Sequence, residues 1–317
     1  MPNGSAKPDA GNRLKRLRRA LEARHRLTAE MRAFFGERDF LEVETPVRLQ
    51  SPAMEDHIEA EPSGSWYLRT SPELQMKRLL AAGYPRVYQV GPCFRRGERG
   101  RFHLPEFSML EWYRSQADCN AILDDTRALL KRVVPAVTGR SGLRFRGHDI
   151  ALESPWQDMS VDEAFERFSP GISVDDAVAG GTFETVLVEH IEPHLGYEVP
   201  AVLRNFPLAL SGLARRCRGR PDRAERWELY LAGVEIANAY SELNDPVEQA
   251  SRFEASATLR RAQGREVYPL DAHFMTALQE GMPPAGGIAL GVDRLLMVLL
   301  NASSMHEVVP FPPEESA

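Results

Sequence analysis

Cysteine is scarce in this chain. Cys93, Cys119 and Cys217 are an odd number without the spacing of a metal site, so a disulfide framework is not expected and reduced thiols in a cytoplasm fit best. Long apolar runs are missing as well, and nothing approaches the roughly 20 residues of a membrane span. The basic start (Arg13, Lys15, Arg16, Arg18, Arg19) lacks the apolar core of a secretory signal, and Glu22 and Glu30 argue against an organellar transit peptide. Positive charge is not in excess: 39 Lys and Arg face 45 Asp and Glu, for a net charge of −6. That balance counts against a broad nucleic-acid surface, though a local basic patch could survive within it. There is no internal repeat, long linker or low-complexity tract. With 43% hydrophobic and 26% charged residues, the composition is that of a globular enzyme.

Residues 1–11, rich in Gly, Pro and Ser, are expected to be disordered, and residues 12–317 to form one domain. Leu14, Leu17, Leu21, Leu27, Met31, Phe34 and Phe35 recur at helical spacing and predict a long amphipathic helix ending near Gly36. Residues 40–46 read as a strand stopped by Pro46. Ser71 and Pro72 open a helix with Glu73 in its first turn and Gly83 after its end. Further helices are expected over 117–134, after the capping pair Ser160 and Glu163, over 183–195, and from Asp245 and Pro246 to about Gln263 with Glu248 as capping-box partner. Residues 201–206, 227–232 and 234–241 read as strands. The pattern is α+β, an antiparallel sheet flanked by helices. The stretch 115–200 carries no nameable chemistry.

Two separated segments carry the functional signal. The first runs Val87-Tyr88-Gln89-Val90-Gly91-Pro92-Cys93-Phe94-Arg95, passes through a charged loop, and resumes as Pro105-Glu106-Phe107-Ser108-Met109-Leu110-Glu111-Trp112-Tyr113. It reads as two antiparallel strands with an arginine where the loop begins. The second, Gly286-Gly287-Ile288-Ala289-Leu290-Gly291-Val292-Asp293-Arg294, reads as a glycine-rich strand entering a helix with an arginine in its first turn. Any single arginine is more often a surface salt-bridge partner. Two on rigid elements suit a triphosphate, because guanidinium stays charged and offers forked donors to phosphate oxygens, and the glycines allow close approach of a ligand. Glu228 and Glu235, on adjacent strands, are either solvent-facing glutamates or a carboxylate pair able to hold Mg²⁺ near phosphates.

Together these segments resemble motifs 2 and 3 of class II aminoacyl-tRNA synthetases, the lysyl type above all, and the helix and strand before Pro46 resemble motif 1, which builds a homodimer interface. The resemblance covers residues 24–308 and implies a class II catalytic core that uses ATP and Mg²⁺. Carried over residue by residue, it implies Arg95 and Arg294 as catalytic groups on the triphosphate. Arg96, Gly97, Glu98, His103, Leu104, Phe107, Glu235, Ile236 and Gly291 complete the ATP site, with Glu228 and Glu235 as metal ligands. It assigns Ser71, Pro72, Glu73, Glu111, Tyr113, Asn238, Tyr240, Glu242 and Ala289 to the amino acid. A lysine-like substrate brings two ammonium groups, and each needs a carboxylate when desolvated. Glu242 matches the residue on the side-chain ammonium, Tyr240 could cover the stem, and Ser71, Glu73 and Glu111 match the end of the α-substituents.

The departures point further. Motif 1 begins within the first 25 residues, leaving no room ahead of it for the anticodon-binding OB-fold of a bacterial lysyl-tRNA synthetase. Ala289 and Ala237 stand where the synthetases carry glycine. Both features resemble the truncated paralogues that act as elongation factor P (R)-β-lysine ligases. This implies activation of (R)-β-lysine with ATP and transfer to a lysine of translation elongation factor P, without tRNA and without a membrane. Gly97 with Glu98 one place late, and Leu104 in place of asparagine, depart from that family too and bear on ATP binding. A lysine-activating enzyme acting on tRNA or a small acceptor, and a regulatory paralogue without turnover, are the alternatives. Arg215, Arg216, Arg218, Arg220 and Arg223 form either a solvated loop or a flexible cationic one able to steer an acidic protein partner.

Overall fold

A computed structural model describes residues 10–313. The expected disordered start lies mostly outside the described residues, while Ala10 and Gly11 already belong to a short helix, Ala10–Arg16. The centre is an eight-stranded sheet. In chain order its strands are β1 (Leu41–Glu42), β2 (Arg86–Phe94), β3 (Glu106–Ser115), β4 (Gln157–Ser160), β5 (Ala201–Arg204), β6 (Arg226–Leu231), β7 (Val234–Ser241) and β8 (Ala285–Gly291). They lie in the order β1-β2-β3-β8-β7-β6-β5-β4. The six inner strands are antiparallel to their neighbours, as expected, but the edges are not: β1 pairs parallel with β2, and β4 parallel with β5. Each parallel edge needs a crossover, supplied by residues 43–85 on one side and 161–200 on the other.

Side-chain alternation along β3 sorts the two faces. Leu110 and Trp112 enter a core with Leu27, Met31, Phe34 and Phe35 of α1 (Arg18–Gly36), Leu129, Leu130 and Val133 of α3 (Cys119–Thr138), and Leu295 and Leu296 of α7 (Val292–Leu299). Tyr113 faces the other way, into a second cluster with Leu74 and Leu80 of α2 (Glu73–Ala81), Phe253 of α5 (Pro246–Ala262), and Phe274 and Leu278 of α6 (Ala272–Gly281). The helix starts follow local chemistry. Asp118 accepts from the Asn120 and Ala121 amides ahead of α3, Asp245 from Val247 and Glu248 ahead of α5, and Ser160 with Glu163 forms a complete capping box at α4 (Val161–Phe168). Each satisfies amides that a helix leaves unpaired.

Several expectations need correction. Of the expected strand over 40–46 only Leu41–Glu42 pairs, because it meets β2 at the very edge of the sheet. Leu14 and Leu21 stay exposed; the helix breaks at Leu17, and its buried stripe runs from Ala20 to Phe35. The helix over 183–195 divides into Phe183–Val186, a wider turn Leu187–Ile191 and a tighter one Glu192–His194, where Pro193 has no amide to continue the ladder. Glu248 completes no capping box: its carboxylate binds Arg216 at 2.7 Å and Arg252. The arginine-rich stretch is no free cationic loop but a hairpin, Arg216–Cys217 against Arg220–Ala224. Arg215 pairs with Glu225 at 2.5 Å, Arg220 with Asp162 at 3.2 Å, and buried Arg223 with Asp162 at 2.6 Å and Asp175 at 3.0 Å. Four of the five arginines thus have carboxylate partners within the fold, while Arg218 stays exposed.

Buried Arg260 ties α5 to the strap over the second cluster. Its Nη1 donates to the Glu55 and Ile58 carbonyls at 2.7 and 3.0 Å, its Nε to Glu266 O at 2.6 Å, and its Nη2 to Glu59 at 2.8 Å. Removing one partner of such a buried, charged set costs about 3–5 kcal/mol. Arg260→Ala should therefore lower Tm by several degrees and speed amide exchange at residues 55–60. Unchanged exchange there would show that the strap is held by other contacts.

Candidate active site

The second face of the sheet opens into a cavity of about 400 Å³. Its floor comes from β3, β8, β7 and β6, and its wall from the β2–β3 loop and residues 54–58 and 210–213. At one end, Arg95 follows β2, and its guanidinium lies 5.2 Å from the Phe107 ring centroid and 3.5 Å from Glu98. Arg95 Nε is buried without a hydrogen-bond partner, a donor that a ligand oxygen would satisfy. Arg294, in the first turn of α7, donates to the Glu235 carboxylate at 2.8 Å and its carbonyl at 3.1 Å, and lies 2.6 Å from His103 Nε2. The preceding Asp293 is almost buried. It accepts from the Ser108 amide at 2.6 Å and pairs with Arg24, so the helix carrying Arg294 is pinned to the strand that follows Arg95. Burial, with the Arg294 charge beside it, holds His103 below the usual histidine range.

Glu228 and Glu235 meet in this cavity through a bulge. Opposite β6, Leu229 pairs with Ala237 and the next residue, Tyr230, with Glu235, so Ile236 is an extra residue in β7. A bulge of this kind shifts the alternation by one. Glu235 before it and Asn238 and Tyr240 after it consequently share one cavity, together with Glu228 and Arg226 across the pair. Glu228 accepts from Arg226 and from the Tyr230 hydroxyl, each at 2.6 Å. Burial, with Glu235 adding to it against the Arg226 charge, pushes Glu228 up to about 7. For Glu235, burial is outweighed by Arg294 and Arg95, which hold it below the usual range. Among the described residues no cluster of three or more His, Cys, Asp or Glu offers a metal cage. Two carboxylates on one cavity wall suit Mg²⁺, which takes one or two protein oxygens and completes its shell with phosphates and water.

Behind Tyr240 lies a buried acidic pocket. Glu111 accepts from Ser71 Oγ at 2.6 Å and from the Tyr113 hydroxyl at 2.8 Å. Glu73 accepts from the Tyr240 hydroxyl at 2.7 Å. Burial pushes Glu111 and Glu242 up to about 8 each. Gly287 faces this pocket, and any side chain there would strike Glu242 and the Tyr113 ring.

Most of the expected ATP residues line the cavity: Arg95, Glu98, His103, Leu104, Phe107, Glu235, Ile236, Gly291 and Arg294, with Asn238, Tyr240 and Ala289 beside them. Arg96 and Gly97 do not line it; they are exposed at the start of the β2–β3 loop. Pro72 is the buried residue before α2. Ser71, Glu73, Glu111, Tyr113 and Glu242 form the inner pocket, whereas Ala237 packs into the first core, on the opposite face. Only Ala289 of the two glycine replacements therefore touches the cavity. Sequence reasoning missed Lys77, Arg226, Glu55 and Glu184. Lys77 sits one helical turn after Glu73 and Arg226 alternates with Glu228, so spacing could have found both. Glu55, pushed up to about 7 by burial, lies in a segment without periodic pattern, and Glu184 lies in an expected helix to which no chemistry was assigned.

The family described as tRNA synthetases class II (D, K and N) matches residues 10–315. The chain belongs to this family. Within the class II synthetases it is similar to two kinds of relative. The lysine–tRNA ligases of Magnetococcus marinus and Chloroflexus aurantiacus are each 35% identical over 93% of this chain, which spans only 64% and 65% of their length. The elongation factor P–(R)-beta-lysine ligases of Hamiltonella defensa and Proteus mirabilis are each 36% identical over 90% of this chain and 93% of their own. Of those ligases, unlike the lysine–tRNA ligases, it spans nearly the whole length.

The raised carboxyls set a pH dependence. A carboxyl whose value rises on folding binds its proton more tightly in the folded chain, so stability falls as pH climbs from the ordinary 4.5 toward the raised value. For Glu111 and Glu242 that window runs from 4.5 to about 8. In scanning calorimetry the ligand-free protein should lose Tm between pH 6 and pH 8, and Glu242→Gln should flatten the decline. A Tm that rises over this interval would contradict the assignment.

Proposed function

We propose that this protein activates (R)-β-lysine with ATP and transfers it to a lysine ε-amine of translation elongation factor P. The observation that carries the reading is the adjacency of two unlike sites: an arginine-flanked cavity of nucleotide character and, joined to it by Tyr240, which lines the cavity and donates to Glu73, a buried acidic cluster. One suits a triphosphate and the other a compact dication, and the substrate carboxylate would lie where they join. The extent shared with the elongation factor P ligases, and Ala289 on the cavity wall, favour a β-amino acid over α-lysine and a protein acceptor over tRNA.

In this reading Arg95 holds the α-phosphate and Arg294 the far end of the triphosphate. Glu242 and Glu73 draw the ammonium groups inward, which fixes the substrate carboxylate facing the α-phosphorus. The carboxylate attacks, pyrophosphate leaves, and a mixed anhydride with AMP remains. The acceptor amine then attacks the carbonyl carbon, AMP departs, and an amide forms. The enzyme's share is placement and charge stabilisation in a site fixed beforehand. Mg²⁺ held by Glu228 and Glu235 would neutralise phosphate charge. The exposed Leu41 and Val47 at the β1 edge support a homodimer through the helix α1 and that edge, and the three free cysteines support a cytoplasmic location.

ATP–pyrophosphate exchange should require Mg²⁺ and be fastest with (R)-β-lysine; equal or faster exchange with α-lysine would move the assignment to a tRNA-type activity. Glu242→Ala strands a desolvated ammonium, at a cost of about 3–5 kcal/mol. kcat/KM for the amino acid should fall about a hundred- to a thousandfold, and a loss of tenfold or less would remove Glu242 from the pocket.

A further inference from the structure

The inner pocket already contains an ammonium. Lys77, on α2, has no solvent exposure. Its Nζ pairs with Glu73 one turn earlier and lies 2.5 Å from Glu242 Oε2. It also stands 5.3 Å from the Tyr240 ring centroid. The sequence assigned Glu73 and Glu242 to opposite ends of the substrate; the structure brings both to one internal cation. Yet both oxygens of Glu242 remain buried without a well-directed hydrogen bond, so the lysine supplies charge and leaves donor positions open. Nearby Arg69 adds little freedom, because its guanidinium already donates to the Thr45 and Pro92 carbonyls.

We propose that Lys77 is a positioning residue that sets substrate specificity, a built-in countercation that holds the Glu73 and Glu242 carboxylates in place for an amino acid bearing two ammonium groups. The inference rests on the function proposed above. Three carboxylates, Glu73, Glu111 and Glu242, converge here, and Lys77 with two substrate ammonium groups makes three cations. Without Lys77 the three carboxylates would face two cations, and desolvation would keep one of them protonated. Even beside Lys77, Glu242 is pushed up to about 8 by burial, with Glu73 and Glu111 adding to it. Lys77 itself is pulled down by burial, but Glu242 and Glu73 outweigh this and hold it above the usual lysine range, so it stays charged across the working pH. Tyr113 and Tyr240, the other titratable groups facing the pocket, are held well above their ordinary values by burial and by the same glutamates and remain neutral.

The test is Lys77→Met, close in length and uncharged, assayed by ATP–pyrophosphate exchange. KM for (R)-β-lysine should rise about tenfold or more at pH 7 with kcat within about threefold. The penalty should shrink toward pH 9, as the stranded carboxyl ionises. Lys77→Ala should recover part of its affinity when ethylammonium is added. A KM that stays within about twofold, or a loss confined to kcat and Tm without pH dependence or amine rescue, overturns the proposal and leaves Lys77 as a structural contact. Should neither variant fold, the ζ-¹⁵N NMR signal of Lys77 in the wild-type protein decides: it must remain an ammonium from pH 7 to 9 and shift on saturation with (R)-β-lysine, and an unmoved signal overturns the idea. Wild-type exchange with neither (R)-β-lysine nor α-lysine would sink the substrate reading and this inference with it. Exchange with a normal KM in Lys77→Met sinks the role of Lys77 alone.

Discussion

Desolvated charge is the constraint on which the functional face depends. Taking an ion out of water costs several kcal/mol, and only a partner of opposite sign offsets it. Lys77, Glu73 and Glu242 meet that condition jointly, so the position of α2 on the sheet is tied to β7 and, through Glu111 and Tyr113, to β3. None of these three elements can move without leaving a bare charge. The bare Cα of Gly287 in β8 is the steric counterpart: the Tyr113 ring and the Glu242 carboxylate occupy the space a side chain would need.

The nucleotide end uses the same currency in a looser form. Arg294 shares its donors among Glu235, His103 and the Phe102 carbonyl, and Arg95 rests between Phe107 and Glu98. These pairs are partly exposed, unlike those around Lys77. The inner acidic cluster is buried, and Lys77 pairs with two of its three carboxylates. The wall residue Glu55 is held from behind by Arg260, so the rim of the cavity is as firmly placed as its floor.

Much of the site was legible in the chain itself. Phe94-Arg95 before a charged loop, Gly286-Gly287 before Arg294, and the alternating strand around Glu228 each have a local physical reason, and Arg95, Arg294 and Glu228 all line one cavity. Legibility stopped where the reason was not local. The bulge at Ile236 has no composition signal, yet it turns Glu235 to the side of Asn238 and Tyr240. Ala237 and Ala289 looked equivalent as replaced glycines, but their strands present them to opposite faces. Arg216, Arg220 and Arg223 looked free because Glu248, Asp162 and Asp175, which pair with them, lie far away in sequence.

The sequence by itself determined the helical and strand periodicity, the caps at Asp118, Ser160 and Asp245, and the pair of arginines fit for phosphate, since these depend on neighbours within a turn or two of chain. Tertiary structure alone decided which carboxylates share a cavity, that the sheet ends in parallel edges, and that an internal lysine stands among the glutamates assigned to substrate. The reason is range. Propensity and capping act over a few residues, whereas burial and charge pairing are set by elements such as α2 and β7, which only folding brings within reach of each other.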